Sequence, residues 1–117
     1  MTGQDKNYEL APKTCSIERL ITVPQDIKKV LNGQKTATRR NGRYADVGEI
    51  MNLDDKHFEV TNVYKQTLGE LTDKEANQEG YDTVEEYKHS ILSNHPGMPW
   101  LSKMEVWVHE FAPVNKN

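Results

Sequence analysis

The chain predicts an α+β domain: a small barrel of about five to six short strands with short flanking helices. Three observations lead there. Its 117 residues suit one domain, since domains commonly run to about 100–150 residues. No repeat, low-complexity tract or internal linker divides it. Its elements, read in order, do not alternate strand with helix as a doubly wound parallel sheet requires. Apolar residues thin out at both ends, which sets a tail over 1–13, the domain over 14–112 and a second tail over 113–117.

The elements follow from local signals. Ile17–Thr22 is short and β-rich, and predicts a first strand. Pro24 fits the first turn of a helix, where its missing N–H is not needed. Ile27, Val30 and Leu31 give that helix an apolar face, and Gly33 after Asn32 supplies a left-handed stop. The helix therefore delivers the chain directly into Lys35. Thr36–Arg40 is extended by propensity, and Asn41-Gly42 is a turn signal. Glu49–Leu53 and Phe58–Tyr64 predict paired strands about the polar turn at Asp54, Asp55 and Lys56. Thr72 and Glu75 have capping-box spacing, which predicts a helix over Asp73–Glu79 ending at Gly80. Asp82 and Thr83, followed by Glu85 and Glu86, start another helix, and Pro96, Gly97 and Pro99 break it. Met104–Phe111 is the last strand.

Charge and composition narrow the function. The net charge of −3 argues against a clamp that holds nucleic acid by bulk electrostatics. The positive charge is local instead: Lys35, Arg39, Arg40 and Arg43 fall within nine residues. The single cysteine, Cys15, cannot form an internal disulfide. No apolar run approaches the roughly 18 residues of a membrane span, and the first ten residues lack a signal-peptide core. The expected location is cytoplasmic, with no membrane partner. His57, His89, His95 and His109 do not have metal-ligand spacing, so neither a metal nor another cofactor is expected.

The most informative stretch is GQKTATRR, which puts Gly33, Lys35, Thr38 and Arg40 in the pattern G-x-K-x-x-T-x-R. Four fixed positions at set spacing arise by chance in about one chain per thousand of this length. This stretch resembles the ASCH domains, a family related to the PUA RNA-binding fold. The turn and strand NGRYADVGEIMNL, the helix ELTDKEANQEGY with its A-x-Q-E, the HPG turn and the closing VWVHEF extend the resemblance over residues 17–111. It is strongest to the small bacterial ASCH enzymes that remove acyl groups from N4-acetylcytidine and related N4-acylated cytidines. Carried over by motif, the resemblance implies Lys35 as proton acceptor, Thr38 as nucleophile and Glu79 as proton donor. Gly33, Arg39, Arg40 and Trp100 are the expected substrate contacts. Arg39 stands where those enzymes tend to have an apolar residue. The implied partner is a modified nucleoside or RNA.

The chemistry sets a geometric condition. Threonine attacks an amide only with help from a base, and a lysine serves only if its proton can leave. In a regular strand, residues 36, 38 and 40 share one face while residue 35 points to the other. Lys35 and Thr38 converge only if the chain bends near Thr36. Taken without the resemblance, these charges read as hydrated groups at helix ends. Two rival readings follow from the same family: a non-catalytic RNA-binding module built on the Lys35–Arg43 basic cluster, and a metal-dependent single-strand ribonuclease. Trp107, inside an apolar strand, is expected in the core.

Overall fold

A computed structural model describes residues 13–114. Four antiparallel strands form one curled half-barrel in the order β1-β4-β3-β2. They are β1 (Ala37–Arg40), β2 (Ile50–Leu53), β3 (Lys56–Thr67) and β4 (Glu105–Pro113). Among the described residues, three short α-helices join them: α1 (Pro24–Leu31), α2 (Asp73–Gln78) and α3 (Val84–Asn94). The α+β half-barrel is the predicted class, with four strands among the described residues rather than five or six. Apart from Lys13, the expected N-terminal tail lies outside the described residues, as does the C-terminal tail beyond Val114. β4 runs one residue past the expected boundary at 112.

The strand expected over Ile17–Thr22 is instead a 3-10 turn, Ile17–Arg19. Its apolar residues explain the difference. Ile17, Leu20 and Ile21 are spaced three and four apart, a helical rather than an alternating pattern. Leu20 and Ile21 are buried, and Ile17 packs beside them.

Helix α1 starts with Pro24 in its first turn and ends at Asn32 and Gly33, where Gly33 has φ +84°. The amides of Gln34 and Lys35 both donate to the Lys29 carbonyl, at 2.8 and 3.0 Å. That double closure bends the chain immediately before β1. The β2–β3 hairpin turns on Asp54 (φ 50°) and Asp55 (φ 67°), two consecutive left-handed residues as a two-residue hairpin requires. Both capping signals are realised, as a capping box at Thr72 and Glu75 and as the Thr83 hydroxyl accepting from the Glu86 amide.

The sheet has a core on each face. On one, Met51, Leu53, Phe58 and Phe111 pack against Leu20, Ile21 and Val30. On the other, Leu68, Leu71, Ala76 and Tyr87 pack with Val106, Met104 and Trp100. Strand alternation sorts β1 between them. Arg39 lies opposite Val108, and Thr38 lies opposite His109, so these two pairs occupy opposite faces. Among the described residues, no helix is long and apolar enough to cross a membrane.

Candidate functional site

The end of α2 is fastened to the start of β1: the Thr36 amide donates to the Gln78 carbonyl at 2.8 Å, and the Thr36 carbonyl accepts from the Phe111 amide at 3.1 Å. Glu79, the C-cap of α2, is thereby set beside the bend that carries Lys35. Lys35 Nζ donates to Glu79 Oε1 at 2.6 Å, and Arg39 Nη1 donates to Glu79 Oε2 at 2.9 Å. Each carboxylate oxygen thus has its own cation. The side chains of Lys35, Arg39 and Glu79 are only 5%, 1% and 3% exposed.

Burying charge costs several kcal/mol per ion unless donors and acceptors are matched. Here Arg39 is matched in full fork fashion. Its Nε donates to Gln66 Oε1 at 3.1 Å and its Nη2 to Gln78 Oε1 at 3.0 Å. Three acceptors from β3, α2 and the α2 cap therefore hold one planar guanidinium, a geometry that suits arginine and not lysine. Nearby Glu75 feels the same field. Burial raises its pKa, but bonds from Thr72 and its own backbone amide, with Arg39 beyond, outweigh burial and hold it below the usual carboxylate range.

The sequence-predicted residues divide between the two faces. Lys35 and Glu79 meet. The bend set as the condition for Lys35 to converge with Thr38 is present, in the double closure onto Lys29, and it carries Lys35 to Glu79. Thr38 is buried on the face it shares with His109, and its hydroxyl makes no hydrogen bond with Lys35 or Glu79. Arg39 contacts Glu79, but it is a buried clamp with its fork taken up by protein acceptors. Arg40 faces away from the cluster: its Nε and Nη2 donate to the Leu20 carbonyl, and its guanidinium lies 5.9 Å from the Tyr44 ring. Gly33 ends α1 at an open position and lines a groove of about 370 Å³ with Val30, Leu31 and Phe58, away from the ion cluster. Trp100 packs edge-on against Tyr87, centroids 6.4 Å apart, with Lys88 Nζ 5.7 Å from its ring. Tyr87 is the link between this aromatic cluster and the ion pair. Its hydroxyl is pushed well up, first by burial and then by the Glu79 carboxylate.

Three participants escaped sequence reasoning. Gln78 stands inside the A-x-Q-E string beside Glu79, so its position was a usable signal. Gln66, in the middle of β3, had none. His109 is fully buried, its Nε2 accepts from the Tyr44 amide at 3.1 Å, and its Nδ1 has no well-formed partner. Trp107, expected in the core, is half-buried, with Lys65 Nζ and Arg43 Cζ 5.4 and 5.9 Å from its ring. Among the described residues, no group of three or more His, Cys, Asp or Glu side chains converges as metal ligands would.

No protein-family profile matches the chain, and no curated protein matches it. Two solved structures do. An ASCH domain from Lactobacillus crispatus JV V101 superposes with a TM-score of 0.63 at 14% identity, over 76% of this chain and 70% of that one. A DUF984 protein from Enterococcus faecalis V583 superposes with a TM-score of 0.57 at 16% identity, over 97% of this chain and 83% of that one.

Proposed function

Starting from the ASCH-domain fold that these likenesses establish, we propose that the chain is a hydrolase acting on the acylated exocyclic amine of a cytidine-like nucleoside. The observation that carries this reading is the buried Lys35–Glu79 contact at 2.6 Å. Amide hydrolysis needs an acceptor for the proton of the attacking oxygen and a donor for the departing nitrogen. A lysine and a carboxyl that share one short hydrogen bond can hold both functions. The Lys35 proton passes to Glu79 Oε1, which leaves a free amine beside a protonated carboxyl. The amine takes a proton from a water as its oxygen attacks the acyl carbon. Glu79 then gives its proton to the departing N4 as the C–N bond breaks, and the products are the free nucleoside and a carboxylic acid. Arg39 on Oε2 leaves Oε1 as the oxygen that carries the proton.

This reading assigns attack to a water rather than to Thr38, because strand alternation aims Thr38 at His109. The pair is closed over. Next to it, Gly80 (φ +90°) lies under Lys29, where an added Cβ would come within 2.9 Å of Lys29 Cδ, and the Lys29 ammonium rests 4.0 Å over the Tyr81 ring. Substrate entry along this route requires Lys29 to lift off Tyr81.

The test is release of free cytidine from N4-acetylcytidine by the purified chain. Lys35→Met and Glu79→Gln are expected to abolish turnover, and Thr38→Ala to retain it. No turnover by the wild-type chain sinks the proposal, and a dead Thr38→Ala variant returns the nucleophile to Thr38.

One observation favours a second reading, a single-strand RNA-binding surface. On the face away from Glu79, Arg43 and Lys65 lie beside the half-buried Trp107, and cations beside an aromatic ring suit phosphates and bases. Titration with single-stranded RNA at two salt concentrations tests it, because phosphate-driven binding weakens as salt rises. Unchanged Trp107 fluorescence at saturating RNA removes this reading.

A further inference from the structure

Residues 42–46 join β1 to β2 and cross the sheet face that holds His109. Ala45 is buried and Tyr44 packs against the core, and hydrogen bonds tie the segment near both ends. The Thr14 amide donates to the Arg43 carbonyl at 2.9 Å, and the Asp46 amide donates to Glu49 Oε2 at 2.8 Å. Between these ends the Tyr44 amide donates to His109 Nε2 at 3.1 Å. That bond exists only while Nε2 carries a lone pair. A second proton on the ring turns the acceptor into a donor facing another donor, inside a site with no exposure to water.

We propose that His109 is a proton-operated latch: neutral, it holds residues 42–46 against the sheet, and protonated, it releases them. This device is independent of the hydrolysis proposed above. It bears on the opposite face, where release would draw Arg43 away from the Trp107 ring.

The surroundings make the ring resist its second proton until the segment moves. Burial is the main cause, and the Arg40 guanidinium from β1 acts in the same direction, so the His109 pKa lies below the usual imidazole value. The Thr38 and Trp107 carbonyls and Asp46 pull the other way without prevailing. Those carbonyls lie near the ring, although Nδ1 forms no well-aligned bond with them. From the segment itself, the Tyr44 ring meets the imidazole edge-on at 6.3 Å and 66°, and Arg43 is bonded to Asp46 at 2.7 Å. From β3, Val63 is the register partner, with Lys65 two residues on along the same face. Among the described residues, no carboxylate is paired with His109, and the Nε2 direction is occupied by the Tyr44 amide. Release of the segment is therefore the route by which the ring becomes hydrated and accepts its proton.

Linkage fixes the expected size. The open state binds one more proton than the closed state between the free imidazole value of about 6.5 and the closed-state midpoint. The opening constant therefore rises about tenfold per pH unit in that window. The experiment is NMR on the wild-type full chain from pH 7.5 to 5, following the His109 imidazole and amide exchange at Tyr44 and in β4. The expected result is a His109 midpoint below about 6.5, with Tyr44 protection falling about tenfold per unit while β4 amides stay protected. His109→Gln, whose carbonyl can accept from the Tyr44 amide but cannot be protonated, is expected to hold Tyr44 protection flat. Should that variant not fold, Trp107 emission in Trp100→Phe, which leaves one indole of the two, is expected to shift with the His109 midpoint. Flat Tyr44 protection in the wild type overturns the proposal. So does an equal fall in His109→Gln, or a fall that the whole sheet shares.

Discussion

On the sheet face that α2 covers, a carboxylate and two cations are buried together; on the other, an uncharged imidazole is buried and holds a backbone amide. Both arrangements take polar groups out of water, and they satisfy them in different ways. Glu79 has a cation on each oxygen, so its charge is matched where it sits. His109 satisfies its surroundings only in the neutral form. Burial in pairs makes charge part of the scaffold, whereas burial of a single neutral base makes the scaffold depend on proton concentration.

The contrast is broken most severely at its centre. Glu79→Ala leaves two buried cations facing each other, and loss of one partner from a buried pair costs about 3–5 kcal/mol. Urea unfolding is expected to show that loss; a change near zero would mean that water already reaches the cluster. Lys35→Met is milder, about 1–3 kcal/mol, because Arg39 still neutralises Glu79.

The opposite face is sharpened by pH. Since the His109 pKa is depressed in the folded chain, the stability it contributes is intact above the unfolded value of about 6.5. It is lost as pH falls through the folded value. Unfolding midpoints in urea are expected to drop between pH 7 and 5 in the wild type and to drop less in His109→Gln. Parallel curves would shift the cause to another group.

Thr38→Val tests whether the hydroxyl of this buried residue matters, and a change of about 1 kcal/mol or less is expected, since its oxygen is not a stranded buried group. The smallest effect belongs to the surface. Lys13→Met breaks an ion pair to Glu49 that is about one-third exposed, and a shift below roughly 0.5 kcal/mol is expected in the same assay.

Much of the fold was legible, because local signals and tertiary demands agreed. Pro24, the Asn32–Gly33 stop, the Thr72–Glu75 box and Thr83 each mark an element where the structure has it. The mistaken strand at Ile17–Thr22 came from weighing β-propensity above spacing. The meeting of Lys35 and Glu79, 44 positions apart, was reachable only through motif resemblance, since no local pattern encodes it. Thr38 and Arg39 are neighbours on β1 that reach opposite cores, Arg39 joining Glu79 and Thr38 lying beside His109. Adjacent strand residues face opposite ways, and only the register with β4 reveals which faces which core. His109 gave no signal at all, because its role depends on a backbone amide from a distant turn.

The tip of the β2–β3 hairpin has a practical consequence. Asp54 and Asp55 both adopt backbone angles that L-residues seldom favour, and they place two like charges side by side. The paired change D54N and D55G would suit that geometry better, and would make the chain sturdier at a spot remote from both the ion cluster and the imidazole. Engineers would then have a hardened background in which damaging substitutions elsewhere could be studied without losing the folded protein.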